Sequence, residues 1–232
     1  MDGKIKKILK ELKKKGSKKN KEGMVRFGIN TKNAFGTNVY DTRKIAKKYK
    51  FDHELALGLW NTNFHEARLL AGFIDEPEKV TEKQLEKWVK DFNSWDLCDL
   101  VCSNLFDKTV FAWKKAVEWT KRKKEFEKRA GFVLMCCLAV HDKKAEDKKF
   151  EKFFPLIKKH STDERNFVKK AVNWALRQIG KRNLKLNKKA IKLGKEIKKI
   201  DSKTAKWIAS DALRELESEK IQRRLKDADK KI

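Results

Sequence analysis

The sequence has little proline and glycine, and it has no long apolar run. Its 232 residues include two prolines and ten glycines. Because the many turns of β-sandwiches and β-barrels usually need these residues, their scarcity argues against an all-β fold. No segment approaches the ~20 consecutive apolar residues that span a bilayer, and the charged N-terminus lacks the apolar core of a signal peptide. We therefore expect a cytoplasmic protein with no membrane partner.

Cysteine is also sparse, and its spacing does not suggest a metal site. Cys98 and Cys102 are one helical turn apart, whereas Cys136 and Cys137 are adjacent within an apolar run. Zinc sites usually combine C-x2-C spacings with supporting histidines, but the four histidines here are scattered. We expect buried free thiols, with a metal site as the less favoured alternative. No Walker A motif or dinucleotide-type glycine-rich loop is present, so no cofactor is predicted.

Positive charge dominates the composition. Lysine and arginine number 60 against 33 acidic residues, which gives a formal net charge of +27. The 40% of hydrophobic residues is enough to form a core, so the charge does not imply disorder. Such an excess indicates a polyanionic partner, most often nucleic acid and sometimes an anionic membrane surface. The alternative is a lysine-biased composition without functional meaning.

Apolar residues recur at spacings of three and four along nearly the whole chain, which predicts helices. An apolar stripe from Ile5 to Leu12 lies on a lysine-rich first helix that ends at Gly16-Ser17; it favours docking on the fold over lying on a membrane. Residues 18–38 are predicted as a loop. The other predicted helices are 41–49, 52–61, 63–74, 81–92, 95–106, 109–120, 125–141, 146–160, 164–180, 187–199 and 202–217. N-caps are predicted at Asp52, Thr81, Ser94, Thr162 and Asp201, with Ser202 as an alternative start.

Short connections between many helices predict antiparallel pairs stacked as a degenerate helical repeat. The fold class is therefore all-α, an α-solenoid whose concave basic face would lie along a DNA duplex. We expect one domain over residues 1–232. It includes a basic N-terminal helical segment (1–22) and a charged tail (219–232) that frays.

The segment Ser94-Trp95-Asp96-Leu97-Cys98-Asp99 carries the first candidate site. Trp95 and Asp99 are i and i+4, so they project from one helix face. Asp96 lies about 100° around the helix and is better placed to stabilise the helix N-terminus. The alternative is that Trp95 belongs to the core and Asp99 is merely solvated.

Two further segments place cations beside apolar or aromatic residues. Arg129 lies just before the most apolar run of the chain, Phe132 to Val140; it is either a fixed site residue or an ordinary boundary arginine in a single ion pair. Trp174 is four residues after Lys170 and three before Arg177. It is either a core tryptophan with a polar edge or part of a surface for phosphates and bases.

Together, four segments resemble the DNA alkylation repair family, the AlkD-like alkylpurine DNA glycosylases with HEAT-like repeats. They follow the family's order and cover roughly residues 24–217. The segments are Ser94-Trp95-Asp96-x-x-Asp99, Tyr40-x-x-Arg43-Lys44-Ile45-Ala46-Lys47, Trp119 followed by Phe126-x-Lys128-Arg129-x-x-Phe132, and Val168-x-Lys170-Ala171-x-x-Trp174-Ala175-Leu176-Arg177.

The resemblance implies a HEAT-like fold and hydrolysis of N3- and N7-alkylated purines from double-stranded DNA. It places the catalytic carboxylate on Asp99, the lesion-facing tryptophans on Trp95 and Trp174, and the active-site arginine on Arg129. Ser94 and Phe126 depart from the family, which often has tryptophan at both positions, and the spacing from Asp99 to Arg129 is shorter than expected. The side chains expected to bind DNA are Arg43, Lys44, Lys47, Lys128, Lys169, Lys170, Arg177 and Lys181.

An alkylated purine is cationic and already a good leaving group, so a carboxylate that stabilises the oxocarbenium-like sugar would suffice. We expect a monomer that needs no cofactor or metal. Three other hypotheses share the fold and charge: a non-catalytic protein that binds duplex or branched DNA, a scaffold for acidic proteins, and an RNA-binding scaffold.

Overall fold

The computed structural model describes residues 1–230, and all of their regular structure is helical. The chain divides into two compact units, residues 1–111 and residues from 112 onward. The prediction of a single domain is not tested by this division. No helix within residues 1–230 is both long and apolar enough to cross a bilayer.

The first unit is built around α5, which is buried over nearly its whole length. Helices α3, α4 and α7 pack against α5, and α1 packs against α3, α4 and α5. The helices of this unit are α1 Asp2–Lys15, α2 Lys18–Arg26, α3 Val39–Ala46, α4 His53–Asn61, α5 His65–Ile74, α6 Glu82–Lys90 and α7 Trp95–Asn104, followed by a 3-10 turn Phe106–Lys108.

Stacked tryptophans join α4 to α6 in the first unit. The rings of Trp60 and Trp88 are parallel within 4°, with centroids 3.9 Å apart. The indole N–H of Trp60 donates to Oδ2 of Asp91 at 2.8 Å, so this buried aromatic also has its polar atom satisfied.

The second unit has α9 as its core, and most residues of this helix are buried. Helix α9 packs against α8 and α12, and α14 packs against both α12 and α13. A Cβ on Gly131 would lie 2.7 Å from the backbone N of Thr120, so α9 approaches the preceding turn only because glycine stands there. The helices are α8 Ala112–Glu118, a 3-10 turn Trp119–Lys121, α9 Glu125–His141, α10 Asp147–Glu151, α11 Phe154–Lys159, α12 Asn166–Gly180, α13 Leu184–Lys198, α14 Lys203–Leu216 and α15 Glu219–Asp229.

Most predicted helices are confirmed, and 125–141 matches α9 residue for residue. Two predictions are wrong, those for residues 18–38 and 146–160. The predicted loop 18–38 begins with α2, because Ser17 accepts a capping hydrogen bond from Asn20 N. Helix 146–160 is two helices, because Pro155 starts a new one in its first turn. The tail is helical from Glu219 to Asp229, with Ile221 and Leu225 buried; its last two residues, 231–232, lie outside the described residues.

The predicted caps are partly confirmed. Asp52 and Thr81 accept the expected backbone hydrogen bonds. Ser202 caps α14 in place of Asp201. Thr162 is wrong because α12 begins only at Asn166. Ser94 occupies the N-cap position of α7, but its side chain is buried and makes no capping hydrogen bond. The four cysteines are buried, as predicted.

Candidate functional site

Helix α7 presents Trp95 and Asp99 one turn apart, and both side chains are half-buried. The indole N–H of Trp95 donates to the carbonyl of Phe27 at 2.9 Å, which holds the ring against the segment after α2. Trp95 is therefore not a core residue, and Asp99 is not fully solvated. The structure brings these two predicted site residues together on one face of one helix, at the surface of the first unit.

Asp96, on the same helix, has a different role from the one predicted. It is buried, and its Oδ2 lies 2.8 Å from Nε2 of His65 on α5. The prediction that Asp96 mainly stabilises the helix N-terminus is incomplete, because its carboxylate ties α7 to α5. Of the two carboxylates on this helix, only Asp99 reaches the surface.

The His65–Asp96 pair shifts the pKa values of both partners towards their charged forms. Burial lowers the pKa of His65, but the hydrogen bond and charge of Asp96 outweigh it, so the pKa lies above its ordinary value of 6.5. Burial raises the pKa of Asp96, but the hydrogen bond and charge of His65 outweigh it, so the pKa lies below 3.8. Each partner therefore favours the charged form of the other in the interior.

This pair predicts a pH-dependent stability. A raised histidine pKa stabilises the fold fully below 6.5 and less as the pH rises through the folded pKa. A lowered aspartate pKa stabilises it above 3.8 and less as the pH falls through the folded pKa. We expect the difference in free energy of unfolding between wild type and Asp96→Asn to be largest between these values and to shrink in alkaline solution. Urea titrations from about pH 5 to about pH 9 measure it; a constant difference would contradict this assignment.

Glu66, beside His65, is a structural residue that sequence reasoning missed. Its side chain is completely buried. Its carboxylate accepts the backbone N–H groups of Phe35, Gly36 and Thr37 at 2.7–3.1 Å. Because Gly36 has a φ of +82°, the chain turns sharply here, and Glu66 supplies the acceptors that this turn lacks.

In the second unit, Arg129 is buried, with 5% of its surface exposed. Its Nη1 donates to the carbonyl of Phe167 in the first turn of α12. The neighbouring Phe126 and Phe167 rings lie 5.4 Å apart. Arg129 is thus a buried arginine that contacts a backbone carbonyl. This contact links α9 to the start of α12.

Trp174 lies half-buried on α12, which packs against the α9 helix that carries Arg129. Sequence reasoning missed Trp207, which is 42% exposed and has the ammonium of Lys169 5.5 Å from its ring centroid. The lysines around Trp207 hinted at such a surface, but helical spacing alone does not distinguish it from a core tryptophan. The second unit therefore presents an additional aromatic–cation pair.

The predicted DNA-binding cations of the second unit differ in their partners. Lys128 binds Asp163 at 3.1 Å, while Arg177 and Lys181 each bind Glu215 at 2.7 Å. Lys170 is exposed and has no carboxylate partner among residues 1–230. Lys170 is therefore the most available of these four for phosphate.

The predicted cations of the first unit are Arg43 and Lys44 on α3 and Lys47 directly after it. The Arg43 guanidinium lies 4.3 Å from the Phe73 ring centroid, and its Nη1 donates to Asn104 at 3.2 Å. Lys44 lies 4.4 Å from the centroid of Tyr40, and Lys47 is exposed. Within the described part of the chain, none of these three cations has a carboxylate at ion-pair distance.

The site holds no arrangement suited to a metal. Within residues 1–230, no group of three or more histidine, cysteine, aspartate or glutamate side chains is placed to hold a metal ion.

Comparison with solved structures identifies the fold. One solved structure is described as "A new family of proteins related to the HEAT-like repeat DNA glycosylases with affinity for branched DNA structures". It matches with a TM-score of 0.76 at 23% identity, over 90% of this chain and 94% of that chain. The predicted all-α, HEAT-like repeat fold is confirmed.

Comparison with family models gives the relationship in sequence. No curated protein matches the chain. The model described as DNA alkylation repair enzyme matches residues 8–216, which include Trp95, Asp99, Arg129 and Trp174. This chain is therefore a member of the DNA alkylation repair enzyme family.

Proposed function

We propose that this protein is a DNA glycosylase that excises N3- and N7-alkylated purines from duplex DNA. The observation that carries the proposal is the division of the carboxylates on α7. Asp96 is bound inside the fold by His65, whereas Asp99 stands half-exposed one turn after Trp95. Membership of a DNA alkylation repair family supplies the substrate class.

The chemistry requires little beyond these groups. An alkylated N3 or N7 purine leaves as a neutral base, so no general acid has to protonate it. The barrier is the positive charge that develops on the deoxyribose. A carboxylate near C1′ stabilises that charge and aligns a water molecule for attack. We assign this role to Asp99.

The aromatic side chains provide selectivity for a cationic base. An aromatic face attracts a cation by about 0.5–2 kcal/mol, whereas a normal base is neutral. We assign this role to Trp95, whose ring is held by its hydrogen bond to Phe27, and to Trp174. The resemblance to the family alone assigns Arg129 to a phosphate beside the lesion.

Duplex affinity would come from the basic surface. Neutralising phosphates releases counterions, so affinity falls steeply with salt. We expect Lys170→Ala to reduce the slope of log affinity against log salt by about one, because its ammonium has no competing carboxylate. Lys128→Ala should reduce it less, because Lys128 is already bound to Asp163. Fluorescence anisotropy at several salt concentrations measures both slopes; equal losses would argue against this ranking.

A second candidate function is a non-catalytic protein that binds branched DNA. The observation that favours it is the solved relative, which is described as having affinity for branched DNA structures. The two candidates share the HEAT-like fold and the positive charge. They differ in whether a base is released.

One assay separates the two candidates. The protein is incubated with a duplex carrying a single 7-methylguanine, and abasic sites are scored by alkaline cleavage. The same preparation is tested for binding to a four-way junction and to a duplex of equal length. Base release supports the glycosylase. Junction binding without base release would replace it with the branched-DNA binder.

A further inference from the structure

A polar cavity in the first unit has no role in the proposed excision. It encloses about 190 Å³ beside the first turns of α5 and α7. Four asparagines, a lysine, a histidine, an arginine and one leucine line it, and no carboxylate does. A single water occupies about 30 Å³ in the liquid, so the cavity has room for a larger polar ligand.

The charged side chains that line the cavity are all basic. Lys32 is exposed and has no carboxylate partner within residues 1–230. Arg68 binds Asp91 at 3.1 Å, and His65 binds Asp96 at 2.8 Å. These two carboxylates are not among the residues that line the cavity.

One polar atom at this cavity is unsatisfied. His65 is 5% exposed, and its Nδ1 is buried without a hydrogen-bond partner among the described residues. Because Asp96 holds Nε2, Nδ1 is the ring nitrogen without a partner, and almost none of its surface is accessible. A buried polar group without a partner is costly, and a bound molecule would satisfy it.

Two helix N-termini flank the same cavity. Helix α5 begins at His65 and α7 begins at Trp95, and neither has a side-chain capping hydrogen bond. The amide of His65 donates to the carbonyl of Asn33 at 2.8 Å, but the amides of these first turns still carry partial positive charge and favour anions. This adds to the charges of the side chains, although it would not indicate a site by itself.

We propose that this cavity binds a phosphate group, supplied either by a DNA strand or by phosphate free in solution. The Lys32 ammonium and the Arg68 guanidinium provide charged donors, and the His65 ring lines the same cavity. The asparagine amides add neutral ones, and the side chains of Asn33, Asn63 and Asn93 have no hydrogen bond within residues 1–230. The inference does not depend on base excision, since a non-catalytic DNA-binding protein would use the same cavity.

The first test titrates the protein with inorganic phosphate at constant ionic strength and follows the imidazole NMR signals. The His65 signal should shift, whereas those of His53, His141 and His160 should not. Lys32→Ala and Asn63→Gly should each weaken the apparent affinity by roughly fivefold or more. Glycine suits the φ of +62° at position 63, so this variant removes the amide without straining the backbone.

Lys83→Ala is the matched control, because Lys83 is exposed on α6 and does not line the cavity. It should leave the affinity unchanged. A second titration uses a short duplex without terminal phosphates. A His65 response to both ligands assigns the site to DNA phosphates, and a response to inorganic phosphate alone assigns it to the free anion. No His65 response to either, or an equal loss in Lys83→Ala, overturns the proposal.

Discussion

Asp99→Asn is expected to lower the single-turnover rate of 7-methylguanine excision by about 100-fold or more, with duplex affinity nearly unchanged. The amide keeps the size and planar shape of the carboxylate. It loses the negative charge that would face the developing oxocarbenium ion. Phosphate contacts elsewhere provide the affinity, so binding should survive. Alkaline cleavage of a lesion duplex, with protein in excess, measures the rate.

Asp96→Asn is the matched control for this experiment, because it removes a second carboxylate from the same helix, three residues earlier. The Asp96 carboxylate pairs with His65 inside the fold. We therefore expect Asp96→Asn to lose stability, while its excision rate per folded molecule falls only a few-fold. If instead Asp99→Asn excises at the wild-type rate, Asp99 is not the catalytic carboxylate. If Asp96→Asn is the inactive variant, the roles of the two residues have been assigned the wrong way round.

Glu66→Ala is expected to destabilise the first unit by about 3–5 kcal/mol. The carboxylate is fully buried and accepts three backbone N–H groups from residues 35–37. Truncation leaves these donors without acceptors and creates a cavity around them. Glu66→Gln should lose less, because the amide oxygen still accepts hydrogen bonds.

Urea unfolding followed by circular dichroism measures this loss. Glu22→Ala is the control, because Glu22 is exposed on α2 of the same unit, and we expect it to change stability by less than about 0.5 kcal/mol. Since Glu66 lies in the first of the two compact units, we expect that unit to unfold at a lower urea concentration in Glu66→Ala. A stability equal to that of Glu22→Ala would show that the buried carboxylate is dispensable.

Much of the fold could be predicted because helices are local. Apolar spacing alone placed α9 at 125–141, and capping residues such as Asp52 and Thr81 act on amides only three residues away. The errors also have local causes. Pro155 lies in the first turn of a new helix, although the apolar pattern continues across it. Helix α2 has no buried side chain, so it gives no periodic apolar signal.

The candidate site could likewise be predicted only where its geometry is local. The shared face of Trp95 and Asp99 follows from a four-residue spacing within one helix, so the sequence by itself determined it. The sequence by itself also determined the excess of positive charge. Its scarcity of turn-forming residues favours a helical repeat.

Only the tertiary structure decided which charged side chains are engaged and which remain available. Asp96 and His65 are 31 residues apart in sequence, Lys128 and Asp163 are 35 apart, and Arg129 reaches a carbonyl 38 residues away. No local pattern encodes such partners. Burial and pairing are set by how helices pack, and a lysine in an internal ion pair looks the same in sequence as a solvated one.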